Sequence, residues 1–163
     1  MKFKMITEVN QEREKINNGG YNIKELNLNE EELKIILKTK LVTIMKNTDD
    51  PDTNGKSPDK YIDNLFANKL GEIDKRIIVV CEKNESIEGM LISLPDREHD
   101  NTYHIFTLGV NEEYRRKGIG KNILLYYFDL LKRADVKYAI LDVHQNNKKA
   151  IKLYTSMNFK IMN

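Results

Sequence analysis

The sequence has no tryptophan, only three prolines and a single cysteine, Cys81, in 163 residues. One cysteine excludes an internal disulfide framework, and without a second cysteine near a histidine pair there is no zinc pattern, so no metal site is expected. Long hydrophobic runs are also missing. The longest covers residues 123–128, far short of the roughly 20 residues that a membrane-crossing helix needs. The opening stretch Met1, Lys2, Phe3, Lys4, Met5, Ile6 lacks the apolar centre of a secretory signal, so a cytoplasmic protein without a membrane partner is expected. Net charge is scarce, +2 from 27 basic and 25 acidic residues. What is present is a 40% hydrophobic content with eight tyrosines and five phenylalanines. A chain of this length buries roughly 70% of its unfolded surface, so a single domain over residues 1–163 is expected.

Residues 1–20 read as an irregular lead in which Phe3, Met5 and Ile6 allow a short strand. Tyr21 and Ile23 alternate with polar residues as a half-buried strand does. Asn29 before Glu30, Glu31 and Glu32 marks a helix start, with three acids at the positive end of the dipole. Leu33, Ile36, Leu37, Leu41, Ile44 and Met45 recur at spacings of three and four, which predicts a helix of about 16 residues ending near Asn47. A turn-rich loop follows, and Pro58 then opens a second helix expected to end near Gly71.

The period then changes to that of strands. Residues 77–81, 87–94 and 102–110 are apolar or alternating runs bounded by turn residues, which implies an antiparallel meander. Gly118 opens a long helix, residues 138–143 form another strand, and Asn147 caps a last helix. Strand, helix, strand in that order is a right-handed crossover between parallel strands. The fold class is therefore α/β with a mixed sheet.

The stretch richest in chemistry runs from Leu108 through Val110 to Arg115, Arg116, Lys117, Gly118, Ile119, Gly120 and Lys121. A strand ends, a basic glycine-containing loop follows, and a helix begins. Unpaired N–H groups and the positive dipole end make such a helix start an anion site, and the two glycines remove side chains that would block close approach. A phosphate-bearing ligand is expected. A Walker loop would need glycine at Arg115 and Ser or Thr at Asn122, and the dinucleotide fingerprint would need glycine at Ile123; neither motif is present. The net charge conceals an asymmetry. Residues 1–114 carry 16 positive and 22 negative groups, residues 115–163 carry 11 and 3, so the basic part coincides with the anion loop.

This stretch resembles the signature of the GCN5-related N-acetyltransferase (GNAT) superfamily. That pattern is Arg or Gln, two residues, Gly, one residue, Gly or Ala, after a strand reading Leu-x-Val. Arg115, Gly118 and Gly120 match it, with Leu108 and Val110 upstream. A second block agrees: Asn147, Ala150, Tyr154 and Phe159 stand at the family's C-terminal spacing, with Asn158 where the family has glycine. Asn is the usual second choice at a left-handed helix end. The resemblance is strongest over residues 76–159. Only four residues follow Phe159, whereas the family usually adds a further strand or two. An open sheet edge is therefore expected, covered by the N-terminal lead or by a second subunit in a homodimer.

The resemblance implies a V-shaped splay between the two parallel strands, with acetyl-CoA as cosubstrate and direct acetyl transfer to a small-molecule or peptide amine. Leu108 and Val110 would pair with the pantetheine arm. The amides of Arg116, Lys117, Gly118, Ile119, Gly120 and Lys121 would hold the pyrophosphate, with the Arg115 side chain adding charge. Asn147 would bond the cofactor's amide arm, Tyr154 would point its hydroxyl at the sulfur, and an N–H near Val110 would support the oxyanion. A full proton transfer from a phenol near pKa ~10 to a thiolate near ~8.5 runs uphill by about 2 kcal/mol, so hydrogen-bond donation is the role assigned to Tyr154; packing on its helix's core face is the alternative. Deprotonating an amine of pKa ~10.4 at neutral pH costs about 4.6 kcal/mol. Candidate bases are His104, Glu112, Glu113, Asp142 and His144, each with a structural role as the alternative. Cys81, in the most apolar strand, reads as a buried thiol. The tract Asp49, Asp50, Asp52 with Asp59 reads as a solvated loop or as an attractor for a cationic acceptor. Two further readings compete: a non-catalytic acyl-CoA-binding sensor or partner module of the same fold, and a nucleic-acid grip, which lacks the broad basic stripe it would need.

Overall fold

The computed structural model describes residues 1–162. Seven strands and four α-helices follow in the order β1 (Lys2–Glu8), β2 (Asn22–Glu25), α1 (Glu30–Ile44), α2 (Asp59–Phe66), β3 (Ile77–Lys83), β4 (Ser86–Pro95), β5 (Thr102–Val110), α3 (Ile119–Arg133), β6 (Tyr138–His144), α4 (Lys148–Ser156) and β7 (Lys160–Ile161). They form one sheet in the order β2-β3-β4-β5-β6-β1-β7, with β5 and β6 parallel and every other pair antiparallel. The expected meander and crossover are both present.

Two apolar layers sandwich this sheet. On one face Leu33, Leu37, Leu41 and Ile44 of α1 and Ile62 and Leu65 of α2 meet Ile78, Val80, Met90 and Ile92. The other face packs Ile123, Leu124, Tyr127 and Phe128 of α3 and Tyr154 of α4 against Val79, Leu91, Leu141 and Val143. Local chemistry sets the helix ends. Asn29 Oδ1 accepts the Glu32 N–H at 2.9 Å and starts α1, which stops at Ile44, short of Asn47. Helix α2 ends at Phe66 rather than near Gly71, because Asn68 turns left-handed (φ 57°) and Lys69 N–H reaches back to the Asn64 carbonyl at 3.1 Å. Asn158 takes φ 69° after α4, with Phe159 N–H on the Tyr154 carbonyl at 3.0 Å, as its place in the motif requires.

The lead expected to be irregular contains a seven-residue strand, and this is the main correction to the sequence reading. Phe3 and Met5 face the core while Lys2 and Lys4 lie on the opposite face, a short pattern whose partner lies at the far end of the sequence: Lys2 pairs with His144 and Glu8 with Tyr138. Strand β1 thus lies between β6 and the two-residue β7, covering the edge expected to be open. Residues 9–18 then strap across α3 and α4. The Arg13 guanidinium lies 3.8 Å from the Phe128 ring centroid and donates to the Met157 carbonyl at 2.7 Å. No helix of the described residues is long and apolar enough to cross a membrane.

Candidate active site

The parallel strands β5 and β6 stay paired only from Thr102↔Tyr138 to Ile105↔Leu141. Beyond that point β5 continues to Val110 and β6 to His144 with no bonds between them. The divergence has a local cause. On its other side β5 shifts register: Ile92 pairs with Thr107 and Ser93 with Ile105, so Phe106 is an extra, unpaired residue. A bulge bends its strand and increases its twist, and this one falls one residue past the last β5–β6 pair. The gap opens into a cleft of about 680 Å³ whose lining includes Phe106, Leu108, Asp142, Asn147 and Tyr154. Helices α1 and α2 and their connecting loop roof it through Ile44, Asp50 and Tyr61, and Tyr61 shares a 2.6 Å hydrogen bond with Thr107.

Tyr154 is 8% exposed, and its ring packs edge-on against Phe159 at 5.5 Å. Its hydroxyl has no hydrogen-bond partner among the described residues, yet is absent from the fully buried unsatisfied atoms, Arg13 Nε, Asn111 Oδ1 and Tyr127 Oη. The ring is core and the hydroxyl faces the cleft. Burial, then the charge of Asp50, push its pKa up, so the phenol keeps its proton at any ordinary pH. Asn147, which lines the cleft, caps α4 through its Oδ1, which accepts the Ala150 N–H at 3.3 Å.

At the start of α3, Gly118 takes φ 78° and Arg116 φ 65°. Six consecutive backbone N–H groups, those of Arg116, Lys117, Gly118, Ile119, Gly120 and Lys121, donate to no acceptor among the described residues. A Cβ on Gly120 would stand 3.6 Å from Leu153 Cδ2, an ordinary contact, so packing within the protein does not demand glycine there. Free donors beside an unneeded glycine fit a phosphate group.

Two side chains depart from the expectation. Arg115 does not offer its charge to a ligand: its guanidinium donates to the carbonyls of Val110 (2.8 Å), Asn47 (2.7 Å), Lys46 (2.7 Å) and Ile44 (3.3 Å). The last three are carbonyls at and just beyond the end of α1, and one arginine ties them to the end of β5. Lys121 is ion-paired with Glu14 of the strap. Together with Lys117, Gly118 and Ile119 it lines a second hollow of about 550 Å³ at the α3 start. The structure therefore brings Leu108, Asn147 and Tyr154 to the cleft wall, while Lys117, Gly118, Ile119 and Lys121 line the second hollow.

Replacing Arg115 with lysine, which cannot fork to four carbonyls, is expected to cost about 2 kcal/mol. The urea unfolding midpoint checks this, and an unchanged midpoint would show these bonds to be without net value.

Of the candidate bases, Glu112 accepts from Asn47 Nδ2 at 2.8 Å outside the cleft, Glu113 is exposed, and His144 Nδ1 accepts from the Asn146 N–H at 3.1 Å. His104 and Asp142 are brought together, Nε2 to Oδ2 at 3.2 Å. Cys81 is fully buried, and burial followed by the charges of Glu88 and Glu82 pushes its thiol up to about 11. The sequence reading missed Gly109, where a Cβ would stand 2.4 Å from Ile44 Cγ2; its position inside the Leu108-x-Val110 stretch was the available signal.

Residues 42–159 match the family model described as Acetyltransferase (GNAT) family. The chain belongs to this family. A curated relative, N-acetyltransferase 8 of Homo sapiens, is 27% identical over 111 residues, covering 62% of this chain, which spans about half (49%) of that relative's length. Among solved structures, a GCN5-related N-acetyltransferase from Sphaerobacter thermophilus superposes with a TM-score of 0.70 at 15% identity, over 99% of this chain and 48% of that one. A GNAT-family acetyltransferase from Staphylococcus aureus Mu50 gives 0.68 at 19%, over 88% and 86%. At these identities the structures establish the fold, and the GNAT signature glycines Gly118 and Gly120 fall in the run of free amides.

Proposed function

We propose that the protein transfers an acetyl group from acetyl-CoA directly to an amine. Carrying this reading is the cleft itself, where two parallel strands diverge with a protonated, unpartnered phenol at its wall and six free amides at the adjacent helix start. Acetyl-CoA supplies the activated acyl group. The chain's own part is positioning and charge. The amides of residues 116–121 bind the pyrophosphate, and the dipole of α3 adds to their pull. Past the bulge, the main chain of Leu108 and Val110 has β4 on one side and the gap on the other, where the pantetheine arm lies; one lone pair of the Val110 carbonyl is already taken by Arg115. The Asn147 amide steadies that arm. Tyr154 donates its O–H to the departing sulfur, a role its raised pKa suits better than complete proton transfer. The acceptor enters from the α1–α2 side, where Asp50 and Asp142 line the cleft and favour a cationic amine.

Thermal-shift titration is expected to show stabilisation by acetyl-CoA and none by ATP or NAD. Thiol release across an amine panel then separates an enzyme from a cofactor-binding module. Tyr154→Phe is expected to lower kcat roughly 100-fold with acetyl-CoA affinity and melting temperature nearly unchanged, since the hydroxyl makes no bond within the protein. A fully active Tyr154→Phe protein would refute the assigned role.

A further inference from the structure

Six charged side chains line the cleft, Lys2, Lys56 and Lys60 against Asp50, Asp52 and Asp142. Three of them are compensated within the protein. Lys2 Nζ stands 3.4 Å from Asp52 Oδ2, and Asp142 has Lys4 Nζ at 3.8 Å and His104 Nε2 at 3.2 Å. Asp50, Lys56 and Lys60 have no ion-pair partner among the described residues, although Asp59 and Asp63 are neighbours of Lys60 in α2. The cleft therefore presents one carboxylate and two ammonium groups that no other side chain neutralises.

The free charges are held on anchored elements. Asp50 Oδ1 accepts the Asp52 N–H at 2.8 Å and its carbonyl accepts the Asn54 N–H at 2.9 Å, which fixes the side chain and leaves Oδ2 for a ligand. Lys56 N–H closes the same loop on the Thr53 carbonyl at 3.1 Å. Lys60 lies in the first turn of α2 beside Tyr61, whose bond to Thr107 fastens that helix to β5. The charge of Asp50 acts on the Tyr154 phenol and that of neither lysine does, so Asp50 belongs to the reacting end and the lysines stand farther from it. Ile44, Met45, Leu70 and Phe106 add an apolar wall to the same cleft.

We propose that the acceptor is an amine that also carries an anionic group, bound with its ammonium toward Asp50 and Tyr154 and its anion at Lys56 and Lys60. The proposal rests on the acetyl-transfer reading and gives its acceptor a chemical class. A simple amine would satisfy Asp50 and leave both lysines unpaired. A polyamine would bring like charge against them, which costs affinity and excludes it as a partner. Only a ligand charged at both ends complements the three free groups. The anion takes no part in the chemistry: the ammonium gives up two protons in becoming the amide N–H, the thioester C–S bond breaks, one proton ends on the coenzyme A thiol and the other in solvent.

Thiol release is measured with phenylalanine, γ-aminobutyrate, para-(aminomethyl)benzoate and aminoethylphosphonate, each beside its neutral ester; the carboxylates and the phosphonate separate the two sources of anion. For the best of these acids, Lys60→Ala is expected to lower the acid-to-ester ratio of kcat/KM about fivefold, and Lys56→Ala combined with Lys60→Ala more than about tenfold. Comparing ratios between proteins cancels the difference in amine pKa between acid and ester. Lys60→Glu is expected to lower the ratio further than Lys60→Ala, and added salt to shrink it in the wild type. Both lysines are exposed, so melting temperatures should stay within about 2 °C. A ratio that the lysine variants leave unmoved overturns the proposal. So does a loss of acetyl-CoA affinity in its place, which would assign the lysines to the cofactor. Failure of the acetyl-transfer reading has its own signature, no thiol release by the wild type with any amine. Binding then decides: the amide NMR signals of Lys60 and Tyr61 are expected to shift with para-(aminomethyl)benzoate and not with its methyl ester, and equal or absent shifts overturn the proposal.

Discussion

Gly120→Leu is expected to abolish stabilisation by acetyl-CoA while the free protein melts within about 3 °C of the wild type. The two halves of this result have separate origins. Within the protein, a Cβ at position 120 meets only Leu153 Cδ2, at 3.6 Å, and leucine is a better helix former than glycine by nearly 1 kcal/mol, so folding tolerates the change. Outside it, the new side chain grows from within the run of six free amides, where a pyrophosphate must come within hydrogen-bond distance of the backbone. At an acetyl-CoA concentration of 100 times Kd, binding contributes about 2.7 kcal/mol, and losing it removes several degrees of thermal shift. A Gly120→Leu protein that responds normally would move the phosphate site elsewhere.

Gly109→Ala carries the opposite signature. Its Cβ would stand 2.4 Å from Cγ2 of Ile44, a β-branched side chain fixed at the end of α1 and 1% exposed. Nothing there yields cheaply, so α1 must move, at an expected cost of 2–3 kcal/mol and a melting temperature lower by roughly 6–10 °C. Activity should fall beyond the loss of stability, because Ile44 and Met45 roof the cleft. The check is a double mutant. Ile44→Ala removes the clashing methyl, so Gly109→Ala combined with Ile44→Ala should be more stable than the two single costs predict; strict additivity would mean that the contact does not limit packing.

What the sequence disclosed was what short-range chemistry determines. Asn29 caps α1 through a bond three residues away, Asn158 ends α4 in the left-handed region, and β5 runs over the residues whose pattern announced it. The glycines of the anion loop were legible for the same reason, since the helix they open follows at once. Hidden were features whose cause lies far along the chain. Phe106 became a bulge only through the register of β4. Arg115 looked like a phosphate ligand, and only the arrival of the α1 carbonyls about 70 residues upstream revealed its four bonds. His104 and Asp142 read separately as two polar strand residues, and pairing them required the alignment of β5 with β6.

The placement of β1 has a consequence for when the molecule becomes whole. Strand β1 is first in the chain and pairs with β6 and β7, the last two strands. Bringing Glu8 to Tyr138 closes a loop of well over 100 residues, at an entropic cost of about 4 kcal/mol beyond the constant for any closure. On the ribosome β1 emerges before any of its partners exists. The meander of β3, β4 and β5 can form from neighbours in sequence, whereas the wall of the cleft that includes Lys2 and Asp142 assembles only after residues 138–144 have been made. Completion of the sheet and completion of the site are thus the same late event.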